Sequence, residues 1–478
     1  MNHSIPALLD ATAAASLRRE EAPVRSRSQR GDASEHVVFV DAEGTLLSVS
    51  LTAESFLRAL KRNLAIVILA FFWRVRGLPY FKHKLAEFSS IDGRYLPYNE
   101  AALLRVRRTH DAGARLVLVT SSNYAIGWAI SDALGLFHTV IASDAENDIP
   151  TQKAETISAY CWSRGISSYE VLDKNSFAPP ISPSSMEISR RILRALRPHH
   201  WVKNLLVFIP LLTSHQLHDV EKLVSASFAF LAFSAAASAV YLMNDVFDID
   251  ADRRHATKCR RPLAAGILTI ELYLFLTVAL IAASIALSIG LPADFLKCLG
   301  GYYLANIAYS WLLKKMVVAD VMALAGLYLL RMFAGGVATE IEISSWLFGF
   351  ALFVCTSVAL AKRYSELMAF KAQNLLEEIP GRAYQAQDSQ IVGGIGIACG
   401  LTAVVVLALY IESDQVSLLY EDSRTLWIVC VLFLYWISRL WVLAGRGNAE
   451  DPVIFATTDA PGVMAIMASV FVIYWQSL

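Results

Sequence analysis

Three oxygen-bearing side chains recur at four-residue intervals where a long apolar stretch of the chain ends. Asn244, Asp248 and Asp252 are spaced i, i+4 and i+8, and on a helix such positions drift by only about 40° per step, so they share one face. Asp245 and Asp250 are expected to point away from that face. Because Mg²⁺ prefers carboxylate and amide oxygens as ligands, the spacing predicts a metal site formed by the first three residues.

Cationic residues follow this acidic segment. Lys258, Arg260 and Arg261 lie within nine residues of Asp252, and carboxylates that face Mg²⁺ with cations beside them are what a diphosphate-bearing substrate requires. The preceding residues 224–243 are almost wholly apolar and long enough to cross a bilayer. Ionisable side chains near lipid have a high free-energy cost, so their presence in this segment indicates a functional site. A solvated loop that merely ends a helix is the alternative interpretation.

The composition divides the chain into two unlike halves. Its 478 residues are 55% hydrophobic, with residues 1–200 typical of a soluble protein and residues 201–478 typical of a membrane protein. Lys and Arg balance Asp and Glu at 42 each, so the net charge does not indicate a nucleic-acid partner. The six cysteines form no CxxC pair, which predicts neither a disulfide framework nor a zinc site.

Four regions are predicted along the chain. Residues 1–35 are rich in arginine without a long apolar core, which indicates a disordered leader rather than a secretory signal peptide. Residues 36–177 alternate short β-rich runs with helical stretches, a pattern typical of a parallel sheet with its site at the carboxyl ends of the strands. Residues 178–195 are predicted to form a linker and a basic interfacial helix. Residues 196–478 are predicted to form an all-α transmembrane bundle.

One apolar segment, Leu64 to Trp73, lies within the α/β region. At ten residues it is too short to cross a membrane. Because Arg74, Arg76, Lys82 and Lys84 follow it, an interfacial helix that lies on the membrane is one interpretation. A helix buried in the core is the other, and the sequence does not choose between them.

Nine apolar segments are predicted to cross the membrane after Trp201. With the N-terminus in the cytoplasm, most Lys and Arg of the connecting loops fall on the cytoplasmic side, as the positive-inside rule requires. The predicted location is therefore the inner (plasma) membrane, with the Asp-rich segment and the α/β region on its cytoplasmic side. The approximate cores are 203–217, 223–243, 268–290, 293–313, 317–338, 345–363, 391–411, 425–444 and 459–477.

Further polar residues are predicted to converge at the same membrane face, where cations would neutralise a departing diphosphate. The carbon left behind is allylic in a prenyl donor and oxocarbenium-like in a phosphoribosyl donor, and the spacing does not choose between the two. Lys362 and Glu366 could instead form an ordinary ion pair on a helix surface. The candidate substrate-binding residues are Lys203, Asp245, Lys258, Arg260, Arg261, Tyr309, Lys314, Asp320, Arg331, Lys362, Arg363, Tyr364 and Glu366.

An ordered set of motifs carries a resemblance to a known family. The acidic segment Asn244–Asp252 resembles the first Asp-rich motif of the UbiA superfamily of intramembrane prenyltransferases. The whole set, which covers nearly all of residues 196–478, resembles the branch that contains decaprenyl-phosphate phosphoribosyltransferases. The other motifs are Leu196–Phe208, Thr257–Gly266, Leu330–Gly336, Ala361–Glu366 and Asp451–Phe455.

This resemblance implies a nine-helix bundle with a lateral opening to lipid. It implies Mg²⁺ as cofactor, phosphoribosyl diphosphate as donor, and a long polyprenyl phosphate whose phosphate oxygen attacks C1 of the ribose. Asn244, Asp248 and Asp252 would hold metal and diphosphate as the catalytic residues, and the cations of Thr257–Gly266 would bind the ribose phosphate or the diphosphate. Many superfamily members carry a second DxxxD motif where this chain has Lys362–Glu366, which favours a donor other than a plain prenyl diphosphate.

The α/β region resembles the haloacid dehalogenase superfamily. Asp41 would be the nucleophile, and Glu43 stands where that family has an aspartate as acid and base. Thr120, Lys153 and Asp173 match the later motifs, although the last motif should carry two carboxylates and only one is found. These departures imply a weakened or inactive site. An intact phosphatase, which could remove the 5-phosphate from the product of the membrane half, is the alternative.

Three hypotheses of different classes remain for the membrane half. The first is transfer of phosphoribose to a polyprenyl phosphate, and the second is transfer of a prenyl chain to an aromatic or other small acceptor. The third is a transporter or lipid-binding scaffold without chemistry, against which the shared carboxylate face argues. The sequence leaves the oligomeric state open, a homo-oligomer included.

Overall fold

The computed structural model describes residues 36–63, 65–143, 149–177, 185–255, 257–372, 382–414, 416, 420, 423–447 and 451–476. The predicted leader at 1–35 and the first part of the predicted linker, 178–184, lie outside the described residues. The described chain forms a small parallel sheet with its helices, followed by a set of long apolar helices.

The α/β region contains the parallel sheet that the alternating pattern predicted. Its strands are β1 (Val37–Asp41), β2 (Arg115–Asn123), β3 (Thr139–Ser143) and β4 (Tyr169–Leu172), in the order β3-β2-β1-β4. All three strand pairings are parallel. Val38 and Val40 enter one buried cluster, whereas Val37 and Phe39 enter another on the opposite face. Burial on both faces explains why this strand is a continuous apolar run.

Six helices accompany the sheet. The first three of them lie in the chain between strand β1 and the fourth helix. Leu64 of the predicted apolar segment lies outside the described residues. Residues 66–73 of that segment lie in the second helix, whose Ile66 is buried while Ile68 and Phe72 are exposed. This helix is therefore only half covered by the protein. The six are α1 (Leu51–Arg62), α2 (Ile66–Val75), α3 (Leu78–Phe88), α4 (Glu100–Asp111), α5 (Tyr124–Leu134) and α6 (Ile149–Ser163).

The rest of the chain is helical. A 3₁₀ helix, Pro198–Phe208, connects the first two α-helices of this half, and short 3₁₀ turns join several of the others. The α-helices are α7 (Ser185–Leu196), α8 (Ile209–Thr213), α9 (Val220–Phe247), α10 (Ile249–Arg254), α11 (Ile270–Leu287), α12 (Ala293–Trp311), α13 (Ala319–Thr339), α14 (Ser345–Ala372), α15 (Ser389–Ile411), α16 (Leu426–Gly445), α17 (Pro452–Thr458) and α18 (Ala460–Trp475).

Six helices of the described chain are long and apolar enough to cross a membrane, and a seventh crossing results if α17 and α18, which are bent by 84°, count as one. The six are α9, α11, α13, α14, α15 (with the turn that precedes it) and α16. The predicted segment 203–217 is divided between a 3₁₀ helix and the five-residue α8, and the predicted segment 293–313 forms α12, which is not among the six. The count of nine stays a prediction.

Helix α1 joins the two halves of the chain. Its Leu57 shares a buried cluster with Leu242 of α9 and with Tyr273 of α11. Nearby, Gly266 approaches Pro97 so closely that a Cβ on the glycine would lie 2.9 Å from the proline ring. The α/β region thus rests on the ends of two apolar helices that adjoin the Asp-rich segment.

Candidate active site

The three residues of the predicted metal site, Asn244, Asp248 and Asp252, span the junction between α9 and α10. We call these three residues the acidic ridge. The backbone N–H of Asp248 donates to the carbonyl of Asn244 at 2.8 Å, and that of Asp252 donates to the carbonyl of Asp248 at 2.8 Å. These bonds span the junction between α9 and α10, where the backbone of Asp248 (φ −92°, ψ 7°) departs from helical geometry. The three residues therefore lie on successive turns, and their common metal-binding face stays a prediction.

Arg261 bridges two carboxylates of the acidic segment. Its Nη1 donates to Asp252 Oδ2 at 2.6 Å and to Asp245 Oδ1 at 3.1 Å. The expectation that Asp245 points away from the metal face is wrong, because seven residues make almost two helical turns and bring Asp245 beside Asp252. Arg197 also donates to Asp245, so this buried carboxylate has two cationic partners.

Asp250 does point away from that ridge, as the spacing predicted, and it pairs with the α/β region. Arg58 Nη2 donates to Asp250 Oδ1 at 2.7 Å, and Lys61 Nζ donates to Asp250 Oδ2 at 3.2 Å. Both cations belong to α1. The acidic segment therefore divides its carboxylates between the membrane half and the α/β region.

Asp248 is the most accessible carboxylate of the segment, with 48% of its side chain exposed. Lys314 Nζ lies 4.0 Å from its Oδ1, and the nearby Asn244 Oδ1 accepts from Ser310 Oγ at 3.2 Å. Among the described residues, no three His, Cys, Asp or Glu side chains converge as a metal-holding group. Mg²⁺ is commonly held by one or two carboxylates together with water and substrate phosphates, so two carboxylates and an amide on one ridge fit such an ion.

A cavity of about 350 Å³ opens beside Asp245. Four arginines line it, and planar guanidinium groups pair well with phosphate oxygens. Burial, with the Lys203 ammonium nearby, lowers the pKa of His200 to about 3, so this imidazole is neutral and the arginines supply the positive charge. The lining residues are Arg194, Ala195, Arg197, His199, His200, Asp245, Thr257, Arg260, Arg261 and Pro262.

Only part of this cation-rich cavity was anticipated from the sequence. Arg260 and Arg261 are candidate substrate-binding residues that line it, whereas Arg194 and Arg197 were not singled out. Arg197, His199 and His200 lie in the motif Leu196–Phe208. Membership of that motif was the sequence feature that could have indicated a role in the site. Lys258 lies in the adjacent 3₁₀ turn and is exposed.

Asp451 brings together two candidate cations that are distant in sequence. Lys203 Nζ donates to Asp451 Oδ2 at 2.6 Å, and Lys362 Nζ lies 3.7 Å from the same oxygen. The Asp451 side chain also accepts from backbone N–H groups at the start of α17. The motif Asp451–Phe455 contains this aspartate, but the motif alone does not indicate a role for it in the site. Its signal was an Asp-Pro pair at the start of a helix.

A second ionic cluster surrounds Asp320. Arg363 Nε lies 2.8 Å from Asp320 Oδ2, and both side chains are fully buried. Tyr384 Oη donates to Asp320 Oδ1 at 2.8 Å. Two candidate substrate-binding residues, Asp320 and Arg363, therefore already hold each other inside the bundle.

Glu366 belongs to the same cluster. It contacts Arg363, and Arg382 Nε lies 3.2 Å from its Oε2. Arg382 Nη1 also donates to Tyr309 Oη at 3.1 Å. The alternative in which Glu366 pairs with Lys362 is wrong, because Lys362 is directed to Asp451 and two arginines surround Glu366.

Arg331 and Tyr364 lie in the packed interior. Arg331 Nε donates to Asn204 Oδ1 at 2.8 Å, and its Nη2 donates to Tyr302 Oη at 3.2 Å. The ring of Tyr364 packs against Trp441, with centroids 5.7 Å apart. Arg331 is thus held by neutral acceptors, and Tyr364 packs against an aromatic ring.

Asp41 and Glu43 of the α/β region lie at the carboxyl end of β1. Lys153 Nζ is 2.6 Å from Asp41 Oδ2. Glu43 Oε2 accepts from the backbone N–H of Ser121 at 2.9 Å, and its Oε1 accepts from Ser122 Oγ at 3.0 Å. Burial raises the pKa of Asp41, and the Lys153 ammonium offsets part of that rise. The structure thus brings three candidate residues to one edge of the sheet.

The other two residues of this second site have local partners. Thr120 is buried and its Oγ1 accepts from the backbone N–H of Ser122 at 3.1 Å. Asp173 caps a 3₁₀ turn by accepting from the backbone N–H groups of Asn175 and Ser176 at 2.9 and 3.0 Å. The negative charge of Asp173 contributes to the raised pKa of Asp41.

A larger cavity, of about 660 Å³, lies at the far end of the bundle. Helix α13 has Asp320 in its first turn and ends at Thr339. Residues that follow this end, such as Glu340 and Trp346, line the cavity. Apolar and aromatic side chains, including Phe350 and Trp436, form most of its wall. The bundle thus has a polar end and an apolar cavity at the opposite end.

Residues 206–475, more than half of the chain, match the model of the UbiA prenyltransferase family. The chain belongs to this family. It is therefore a transferase, and its apolar helices are those of a multi-pass membrane protein. The UbiA match covers the acidic ridge, Lys314 and the Asp320 cluster, but not the α/β region.

Two relatives of this UbiA transferase are informative. An uncharacterized protein of Sinorhizobium fredii, y4nM, is 29% identical over 428 residues, which cover 83% of each chain. That alignment is too long to be confined to residues 196–478, so it includes part of the α/β region. The decaprenyl-phosphate phosphoribosyltransferase of Corynebacterium glutamicum is 39% identical over 181 residues, which cover 37% of this chain and 54% of the relative.

A solved structure of a UbiA homolog from Archaeoglobus fulgidus, bound to DMAPP and Mg²⁺, also resembles the chain. Its TM-score is 0.46 at 17% sequence identity, with 59% of this chain and 99% of that chain covered.

Proposed function

We propose that this UbiA transferase moves 5-phosphoribose from phosphoribosyl diphosphate to a polyprenyl phosphate of the decaprenyl type. The observation that carries the proposal is the arginine-lined cavity beside Asp245. The donor has two separate anionic groups, a diphosphate on C1 and a phosphate on C5, whereas a prenyl diphosphate has one. A carboxylate ridge suited to Mg²⁺–diphosphate and an adjacent guanidinium cavity suited to a phosphate match the donor that has both.

The comparison with curated proteins supports the same assignment. The Corynebacterium glutamicum relative is named for decaprenyl phosphate as acceptor and phosphoribose as transferred group. The loop cations support an orientation in which the acidic ridge and the α/β region face the cytoplasm. A water-soluble donor would then enter from the cytoplasm, while the acceptor would enter from the lipid.

Asn244, Asp248 and Asp252 would hold Mg²⁺, which neutralises charge on the departing diphosphate when it is bound. Lys314, whose Nζ lies 4.0 Å from Asp248 Oδ1, would bind a diphosphate oxygen. Arg260 of the cavity would hold the 5-phosphate and thereby orient C1 towards the acceptor. The C1–O bond breaks with its electron pair on the diphosphate, and a phosphate oxygen of the polyprenyl phosphate bonds to C1.

The decisive experiment uses the full chain purified into lipid nanodiscs with Mg²⁺. Phosphoribosyl diphosphate labelled in the ribose is supplied with decaprenyl phosphate, and we expect label to enter the lipid extract. The alternative, a prenyltransferase that acts on an aromatic or other small acceptor, predicts no such label. It predicts instead a prenylated aromatic acid when a prenyl diphosphate is supplied.

For the α/β region we propose a haloacid dehalogenase-like domain whose hydrolytic site is weakened. Asp41 and Lys153 are in contact, which is the arrangement expected of a nucleophile and the cation that stabilises it. Glu43, however, is held by two serines, and Asp173 is engaged in capping a turn. Release of inorganic phosphate from the phosphoribosylated lipid measures the residual activity, and we expect release far slower than transfer.

A further inference from the structure

Helix α2 exposes one apolar face. Ile68, Phe71, Phe72 and Val75 are between 61% and 74% exposed. At 100° per residue these four positions fall within an arc of about 100°, so they form one contiguous stripe along the helix. We call these four residues the α2 face. A contiguous apolar patch of this kind marks an interaction surface.

The opposite side of α2 is already used for packing. Ile66 shares a buried cluster with Ala59 of α1 and Leu85 of α3, and Trp73 stacks on Phe88 with ring centroids 5.5 Å apart. The helix is therefore apolar on both sides, whereas a helix that borders water is normally polar on its outer side. At ten residues it cannot cross a bilayer.

The position of α2 follows from that of α1. Leu57 of α1 packs with the end of α9 and the start of α11, two helices apolar enough to cross a membrane. Only three residues separate the end of α1 at Arg62 from Ile66, so α2 begins within about 14 Å of the end of α1. The α2 face therefore lies near the level at which the bundle leaves the membrane.

Basic residues flank α2 in the sequence, although Arg58 and Lys61 pair with Asp250 and Lys84 pairs with Glu87. Between Ser55 and Ala86 the chain contains seven Lys and Arg residues and neither Asp nor Glu. Arg62, Arg74 and Arg76 are exposed close to the two ends of the helix. Cations that flank a short apolar helix favour a surface of anionic lipid headgroups.

We propose that the α2 face inserts into the boundary between headgroups and acyl chains of an anionic bilayer, in the leaflet next to the Asp-rich segment. The helix lies in the plane of the membrane, and its flanking arginines contact lipid phosphates. This attachment gives the α/β region a third point of contact beside the mouth of the bundle, in addition to its ion pairs and its apolar packing. It is independent of which group the enzyme transfers.

Photocrosslinking in the full chain tests the proposal. Phe72 is replaced by p-benzoylphenylalanine, and the protein is reconstituted in nanodiscs of phosphatidylcholine and phosphatidylglycerol and irradiated. We expect a phospholipid adduct in the intact mass spectrum, at a yield at least fivefold above that of a control with the same residue at Trp162. Trp162 is an apolar side chain of α6 that is 88% exposed. Equal yields at the two positions, or a covalent dimer instead of a lipid adduct, would overturn the proposal.

Hydrogen exchange provides a second measurement, which begins with the unmodified chain. Amides of residues 66–75 should exchange at least threefold more slowly in nanodiscs with phosphatidylglycerol than in nanodiscs of phosphatidylcholine alone. The double substitution Arg74→Gln and Arg76→Gln should remove that difference. Identical exchange in the two lipids would refute the role of anionic headgroups.

Discussion

Arg253 and Glu54 form a buried, two-pronged ion pair between the Asp-rich segment and the α/β region. Arg253 Nη2 donates to Glu54 Oε1 at 2.6 Å, and its Nη1 donates to Glu54 Oε2 at 3.1 Å. Both side chains are buried. Because Arg253 directly follows Asp252, the placement of a candidate metal ligand is coupled to a residue of the other half of the chain.

We expect Glu54→Gln to destabilise the protein and to slow transfer. Glu54 also contacts Arg58, which keeps Asp250 as a partner, whereas Arg253 loses its buried carboxylate. An uncompensated buried charge costs about 3 kcal/mol. Thermal unfolding in nanodiscs should therefore begin at a lower temperature, and addition of Arg253→Met should restore part of the loss. Glu87→Gln is the matched control, because Glu87 pairs with Lys84 at the surface and such pairs contribute about 1 kcal/mol or less. Equal unfolding temperatures for Glu54→Gln and Glu87→Gln would contradict the coupling.

Asp248→Asn should abolish most turnover while the protein stays folded. The substitution keeps the shape of the side chain but removes the charge of the most accessible carboxylate, and we expect a loss of about 100-fold or more. Chelation of divalent metal should have a similar effect on the unmodified protein. Asp294→Asn is the control, since Asp294 is exposed and pairs with Lys297 within α12. Full activity of Asp248→Asn would remove the argument for a metal site.

The acidic segment shows how much local spacing can predict. The four-residue spacing of Asn244, Asp248 and Asp252 predicts successive helical turns, and the backbone bonds between these residues show such turns. The partners of the carboxylates do not follow in this way, because Arg197 and Arg58 reach Asp245 and Asp250 from elements that are 48 and 192 residues away. Such contacts depend on how the elements pack, which no period in the sequence encodes.

The fold, too, was predictable from sequence in some parts and not in others. The buried strands were predictable because a parallel sheet covered on both faces requires apolar, β-branched runs such as Val37–Val40. The segment 203–217 was harder to interpret from hydropathy alone. Pro198 and Pro210, each at the start of a helix, lack the N–H that a continuous helix needs, and the chain forms two short helices there.

Arg260→Gln should weaken binding of phosphoribosyl diphosphate specifically through its 5-phosphate. We expect KM for this donor to rise about tenfold, which corresponds to about 1.4 kcal/mol. A donor analogue that lacks the 5-phosphate should be used poorly by both forms and should show no further loss in Arg260→Gln. Arg108→Gln, an exposed arginine of α4, serves as control. An equal rise in KM for both donors would show that Arg260 does not contact the 5-phosphate.

Asp41→Asn should leave lipid-linked transfer within about twofold of the unmodified protein. The carboxylate of Asp41 pairs with Lys153 at the sheet edge. Contacts between the two halves include those of α1, the Gly266–Pro97 approach and Arg254 over the ring of Tyr95, so removal of the Asp41 charge should leave the acidic ridge in place. Any slow release of phosphate from the phosphoribosylated lipid should disappear in this variant, because the attacking carboxylate is gone. Asp248→Asn should show the reverse pattern when the lipid product is supplied, with phosphate release kept and transfer lost. A parallel loss of both activities in Asp41→Asn would mean that the two sites do not act separately.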